Sequence, residues 1–380
     1  MIESTYTATD RSRARATRSA STLNSLEPPS LPEAFYQNPP EGFRALKIAT
    51  SNGDTAPAFF ADFDILTTLD DEHRWIIDLL AKVKASGLTT MPTLFAGTTV
   101  TEYTGYPHLN EKGCSEYVEK LVEEALDRKA SLLIIKDLPQ NSPLLSTEEN
   151  LIADKIMDIC AADKRFLVVE GQALAYVPID FATIDEYLSR SGKKTRKDLR
   201  RKIRSRANLQ VEAAPTGRIF HDQSLLNQMY EQYLNVYNQS QYHFDKLSRR
   251  FFEEILTNGK NGGIVFIYKD NDGDIIGYNI CFEHNNMLVD KYVGFEYPAA
   301  RDANLYFVSW FHNLEYCLER GLSHYIAGWT DPAVKAYLGA SFTSTRHAVF
   351  IRNSLLRAIL QPFRKCFEND STFGESGGKS

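Results

Sequence analysis

Ile264-Val-Phe-Ile-Tyr-Lys269 is an unbroken apolar, β-branched run that stops at Asp270-Asn-Asp-Gly-Asp274. Asn, Asp and Gly tolerate the positive φ of a tight turn, so the pattern predicts a strand and a hairpin, with Ile275–Glu283 as the returning strand. His284-Asn-Asn286 turns the chain again, and Met287–Phe295 reads as a third strand. The period then changes. Leu305, Val308, Phe311, Leu314, Tyr316, Cys317 and Leu318 form an apolar stripe near 3.6 spacing, closed by Arg320-Gly321, and this predicts a helix. A short strand (His324–Ala327), a short helix (Pro332–Leu338) and a last strand (Arg346–Arg352) follow. Three meandering strands and then α-β-α-β define an α+β layer.

The earlier part of the chain shows the same mixture. Residues 1–43 are polar and proline-spotted and are expected to be a disordered tail. Their Ser, Thr and Arg content also fits a short organellar targeting peptide, and they lack the apolar centre of a secretory signal. Beyond Ala45, strands are expected over 58–66, 93–103 and 131–136, and helices over 70–85, 114–129 and 147–160. A further strand is expected over 166–179, with Gly171 as a turn or bulge. Residues 44–186 thus make a mixed α/β half of similar size to 207–355, with 356–380 as a helix end and tail. No residue-level repeat relates the two halves.

Between them, residues 187–206 change the picture of charge. Arg190–Arg206 reads Arg-Ser-Gly-Lys-Lys-Thr-Arg-Lys-Asp-Leu-Arg-Arg-Lys-Ile-Arg-Ser-Arg, with Asp198 its lone acid. Leu199 and Ile203 are one helical turn apart, so a helix here would bury one face and project the cations from the others. Such a field suits a phosphorylated ligand, and a solvated connecting helix would show the same composition. Two helices are expected next, over 225–236 and 247–256, joined through Tyr237, Ser240, Tyr242, His243 and Phe244.

Composition narrows the classes. The 380-residue chain carries a formal net charge of -6, which argues against a general nucleic-acid coat protein and against DNA as a partner. Its five cysteines lie far apart with no C-x-x-C and no histidine at ligand spacing. They read as reduced thiols of a cytoplasmic protein, with no metal site expected. No apolar run approaches the ~20 residues of a membrane span.

The residues also resemble a family. Tyr187-Leu-Ser-Arg-Ser-Gly-Lys-Lys-Thr-Arg196, running on through Arg204, is similar to the Lys-x-x-Arg-x-x-x-Arg-Arg entry of FemAB-like acyltransferases. These form a branch of the GNAT superfamily often described as peptidoglycan biosynthesis or recognition proteins. Tyr233-x-x-Val236-Tyr237-x-x-Ser240 with Phe244, Leu247 and Phe251-Phe252 continues the likeness, as does the Tyr306–Gly321 helix ending in Glu-Arg-Gly. Gly328-Trp-Thr-Asp-Pro-Ala-Val-Lys335-Ala-Tyr-Leu-Gly339 resembles the family's Gly-x-x-x-x-x-x-Lys-x-x-x-Gly segment. The likeness spans about 43–353 and implies two GNAT-like halves side by side. It also implies transfer of an acyl or aminoacyl group to the amine of a small molecule or amino-acid-derived precursor. The donor would be acyl-coenzyme A or aminoacyl-tRNA, used as co-substrate with no permanently bound cofactor. Coenzyme A users carry Arg/Gln-x-x-Gly-x-Gly/Ala before that helix, because glycines let backbone N–H groups approach a pyrophosphate. Arg301-Asp-Ala-Asn304-Leu-Tyr306 departs from this; FemAB-like aminoacyltransferases lack the glycines too.

Amide formation needs an amine deprotonated, an oxyanion stabilised and a leaving group protonated. In a GNAT-like core these groups come from the third strand and the following helix. Asp290 and Glu296 share strand parity and are candidate bases, with Tyr306 or Tyr337 as proton donors. Lys335 is the candidate cation for donor phosphate or tetrahedral intermediate, on a helix that Asp331 would cap and Pro332 would begin. Arg301, Asn304, Arg200, Arg201 and Arg204 are the donor-side candidates, and Tyr237, Ser240, Tyr242 and His243 the acceptor-side ones. His312 reads as packing; His347 is open. Cell-wall precursor modification and natural-product tailoring both fit an N-acyltransferase. The alternative is a catalytically silent GNAT-like binding protein, since the glycine loop is missing.

Overall fold

The computed structural model describes residues 25–50, 53–65, 90–107, 109–240 and 244–361. The expected helix over 70–85, the residues Tyr242 and His243, and most of the two termini lie outside these. Two mixed sheets lie side by side. The first has the order β1-β2-β3-β4-β13-β5, formed by β1 (Arg44–Ala49), β2 (Thr55–Asp64), β3 (Thr90–Ala96), β4 (Leu132–Pro139), β5 (Phe166–Glu170) and β13 (Thr345–Ile351). The second has the order β12-β6-β11-β10-β9-β8-β7, formed by β6 (Leu174–Pro178), β7 (Gln210–Pro215), β8 (Gly263–Lys269), β9 (Ile275–His284), β10 (Met287–Phe295), β11 (His324–Gly328) and β12 (Ser341–Thr343).

Each sheet is an antiparallel meander leading to one parallel pair, β3 with β4 and β10 with β11. The helices that cross over these pairs are α2 (Glu111–Asp127) and α9 (Leu305–Arg320). They follow α1 (Ser30–Gln37) and enclose α3 (Thr147–Ala162), α4 (Ile184–Ser189), α5 (Lys193–Ile203), α6 (Gln223–Gln239), α7 (Arg249–Thr257) and α8 (Ala299–Asp302). Two more, α10 (Pro332–Leu338) and α11 (Ser354–Leu360), come last.

The halves exchange strands. The expected strand over 166–179 is two, broken at Gly171: β5 stays in the first sheet while β6 joins the second against β11. In return β13 leaves the second half and inserts between β4 and β5. A division at 187–206 therefore does not divide the sheets. A side chain at Gly171 would meet the Thr345 Oγ and His347 Nε2, the former at 2.3 Å. Thr345 is fully buried and its hydroxyl donates to the Gln172 carbonyl at 2.9 Å, so it has no room to yield. Gly171→Ala is expected to cost about 1–3 kcal/mol, read as a lower urea midpoint; an unchanged midpoint would contradict this packing.

The expected tail also needs correction. Residues 25–37 are ordered: Leu31 and Phe35 of α1 are buried in a cluster that joins Phe59 and Phe95 of the first sheet to Phe251, Val265 and Ile280 of the second half. The expected strand over 93–103 stops early. β3 ends at Ala96, Gly97 takes φ +102, and residues 98–104 fold inward as a buried loop. In the connecting segment Leu199 is buried and Ile203 packs on the second core, so the helical face read from their spacing is the one that docks, on α9.

Candidate active site

The cavity that matters lies where β10 and β11 part, under α9 and α10. It has a volume of about 90 Å³ and is lined by Asp290, Lys291, Tyr306, Trp310, Tyr325 and Lys335 among others. Space of this size holds a few waters or the end of a narrow chain. Three of the four expected catalytic residues meet here: Lys335, Asp290 and Tyr306.

Asp290 is held from several sides. Its carboxylate accepts from the Tyr325 hydroxyl at 2.9 Å, the Asn313 amide at 3.0 Å and the Asn279 amide at 3.2 Å. Burial raises its pKa; Tyr325, Asn279 and the Lys335 charge oppose the rise. Lys335, the candidate cation, is only 4% exposed. Among the described residues no hydrogen bond or ion pair holds its Nζ. Burial pushes its pKa down to about 8, against the pull of Glu102, Asp290 and Asp331. The Tyr306 phenol is raised by burial. Asp331 sits at the cap position of α10 with φ 53 and makes no side-chain cap, which corrects the expected N-cap.

Glu296 does not join them. A register shift between Asp290 and Tyr292 breaks the alternation on which shared parity rested: an extra residue re-aims everything after it. Glu296 is exposed, its N–H bonded to Ile276 at the start of a turn. The same shift carries Lys291 into the cavity. Its Nζ lies 2.6 Å from Glu102 Oε1 and 3.1 Å from Glu27 Oε1, and Glu27 Oε1 also accepts the Glu102 N–H at 2.8 Å. Burial raises the pKa of Glu27, while the two carboxylates hold the Lys291 ammonium above the ordinary lysine range. No sequence pattern pointed to Lys291, Glu102 or Glu27. The partners lie 189 and 264 residues from the lysine, and no local period encodes such a contact.

The sequence profile of the FemAB-like family, described as peptidoglycan biosynthesis/recognition, matches residues 84–371. The chain belongs to that family. This FemAB-like protein is an acyl- or aminoacyltransferase. No curated protein matches it by sequence. Among solved structures, L-PGS from Bacillus licheniformis is similar with a TM-score of 0.53 at 11% identity, over 92% of this chain and 98% of that one. FemX is similar with a TM-score of 0.52 at 14% identity, over 90% and 96%. At these identities the likeness is one of fold.

The remaining candidates among the described residues of the FemAB-like chain lie outside the cavity lining. Arg301 is exposed, donates to Gln239 at 2.7 Å and lies over the Tyr297 ring. Asn304 takes φ 52, without capping α9, and its amide donates to Ser205 at 3.1 Å. On α5, Arg200 pairs with Asp185 and Arg201 with Asp198, each at 2.7 Å; Arg204 is exposed. The Tyr337 hydroxyl donates to Asp198 at 2.7 Å, so this phenol serves α5 and not the cavity. Arg201, then Tyr337 and Lys202, hold the Asp198 carboxyl well below its usual range. Tyr237 packs beside Tyr233 at the end of α6, and Ser240 closes that helix through its backbone N–H. His312 is packing: half-buried against Phe266, its two ring nitrogens have no partner, and burial lowers its pKa to about 4. His347 uses Nδ1 to accept the Asp137 N–H at 2.9 Å. Among the described residues no helix is long and apolar enough to cross a membrane, and no cluster of metal-binding side chains is present.

Proposed function

We propose that the protein forms an amide between an activated acyl or aminoacyl donor and the amine of a small molecule or amino-acid-derived precursor. It would act in the cytoplasm, in cell-wall or natural-product biosynthesis. The observation that carries this is Lys335, a buried ammonium with no hydrogen-bond acceptor, in one cavity with Asp290 and Tyr306. A buried charge lacking a partner is costly, and an oxyanion is the partner it fits. The acceptor nitrogen attacks the donor carbonyl; its C–N bond forms as the carbonyl oxygen becomes the oxyanion beside Lys335. The nitrogen gives up a proton to Asp290, at the expense of one hydrogen bond that carboxylate now accepts. As the C–S or C–O bond to the leaving group breaks, Tyr306 supplies a proton. Arg200, Arg201 and Arg204, with Arg301 and Asn304, are assigned to the phosphates of the donor, and Tyr237, Ser240, Tyr242 and His243 to the acceptor.

The test is a mass-shift assay of an amine panel with acetyl-coenzyme A and, separately, with charged tRNA. One donor class is expected to give acylated amine. No product from either, with the fold intact, would leave a silent binding protein. With the productive donor, the triple variant Arg200→Ala/Arg201→Ala/Arg204→Ala should raise KM about ten-fold, three exposed charges at roughly 0.5 kcal/mol each. High salt should do the same to the wild type.

A further inference from the structure

Lys291 lines the cavity, yet the carboxylates that hold it come from elsewhere: Glu102 from the loop after β3, and Glu27 from the segment before α1. All three side chains are nearly or fully buried, at 7%, 3% and 0% exposure for Lys291, Glu102 and Glu27. Each carboxylate spends one oxygen on the lysine; Oε2 of Glu27 and Oε2 of Glu102 have no partner. As a brace this is poor design, because apolar side chains of similar volume would join the halves at least as firmly. As a source of charge it is effective: two carboxylates against one ammonium leave one net negative charge beside the cavity.

We propose that Glu102 and Glu27 are positioning residues for the transfer reaction: they hold Lys291 at the β10 bulge, and their excess negative charge keeps Lys335 protonated where the oxyanion forms. The role of Lys335 rests on the function proposed above. The groups around Lys335 are few. Asp290 and Lys291 of β10, Tyr306 of α9 and Tyr325 of β11 line the same cavity, and the charges of Glu102, from the loop after β3, and of Asp331, at the start of its own helix, also act on Lys335. Glu102 is the strongest of the anions that favour its ammonium. The other acids are committed elsewhere or nearer solvent: Asp290 already accepts from four side chains, Tyr325, Asn313, Asn279 and Cys281, and Asp331 is exposed. The first half of the chain thus acts on a reaction centred in the second by supplying an anion through a buried loop.

The experiment is an NMR titration of the Lys335 side chain in the free, full-length protein carrying 13C-labelled lysine, the resonance being identified by its absence from Lys335→Met. Because no substrate is added, the result stands even for a protein that transfers nothing, so a failure here is distinct from a failure of the proposed function. Glu102→Gln is expected to lower the Lys335 pKa by one unit or more, and Glu102→Asp to bring it back close to wild type. Where the protein is active, the alkaline limb of kcat should move by the same amount, with KM little changed. A brace without an electrostatic role would alter stability and leave the Lys335 titration in place; that outcome overturns the proposal. Should Glu102→Gln fail to fold, Glu27→Gln keeps the Glu102–Lys291 pair and decides: a smaller fall in the Lys335 pKa is expected, and no fall overturns it.

Discussion

Lys335→Met is expected to give a protein that is more stable than the wild type and almost inactive. Methionine fills the same narrow volume without a charge. The wild-type lysine titrates at about 8 in the fold and near 10.4 when unfolded. Burying its ammonium therefore costs roughly 3 kcal/mol at neutral pH. The sign follows from proton counting: between these two pH values the unfolded chain holds more protons, so wild-type stability climbs as pH rises through that window. The variant has no such climb. Its advantage should be fully present below pH ~8 and gone by pH ~10.5, as read from urea unfolding at several pH values. Turnover should fall by about two to three orders of magnitude, the scale for one electrostatic stabiliser. Lys335→Arg should rescue little, since a planar fork cannot occupy the same point. A variant less stable than wild type, or fully active, would return Lys335 to a structural role.

Lys291→Met should do the opposite, although the two lysines line one cavity. Removing this ammonium strands two carboxylates in the interior, and the expected loss is about 3–5 kcal/mol. The wild-type contribution is present below the ordinary lysine pKa and is lost only as pH rises through the elevated folded value, so it is constant across neutral pH. In the variant the Lys291 charge no longer opposes the burial that raises the Glu27 pKa, so this carboxyl binds its proton more tightly folded than unfolded. The deficit of the variant should therefore shrink as pH falls toward 5. Neutralising all three groups, with Glu27→Gln and Glu102→Gln added, should recover most of the loss. Equal urea midpoints for Lys291→Met and wild type at pH 7 would show the ion pairs to be unimportant.

The contrast between these lysines also marks what could be read from sequence. Elements with a clear period were legible to within a residue or two: the 263–295 meander with its Asp/Asn/Gly turn, the 305–320 helix, and α10, because local preference and tertiary packing agree there. β1 and β7 went unread: both are edge strands whose polar and apolar positions do not alternate cleanly. Gly171 was legible as a break, but which sheet each side of it joins depends on partners more than 140 residues away. In the cavity Lys335, Asp290 and Tyr306 were identified through family likeness and strand placement. Glu296 was misplaced because a bulge is invisible to a parity rule, and Lys291 was missed for the same reason. Glu27 was read as tail because a short proline-rich stretch carries no sign that it will be buried.

The exchange of strands between the sheets has a consequence for how the chain is made. β5 is complete at Glu170, yet the strand that separates it from β4 begins only at Thr345. At roughly 5–20 residues per second on the ribosome, those about 175 residues leave both strand edges without their neighbour for roughly 10–35 s. Exposed edges of this kind recruit other chains, so a nascent FemAB-like chain of this build needs shelter until its last strand emerges. For the same reason neither half can be cut out and expected to stand by itself. A fragment ending before β13 would carry two open edges, and one beginning after β6 would lack the strand that covers β11.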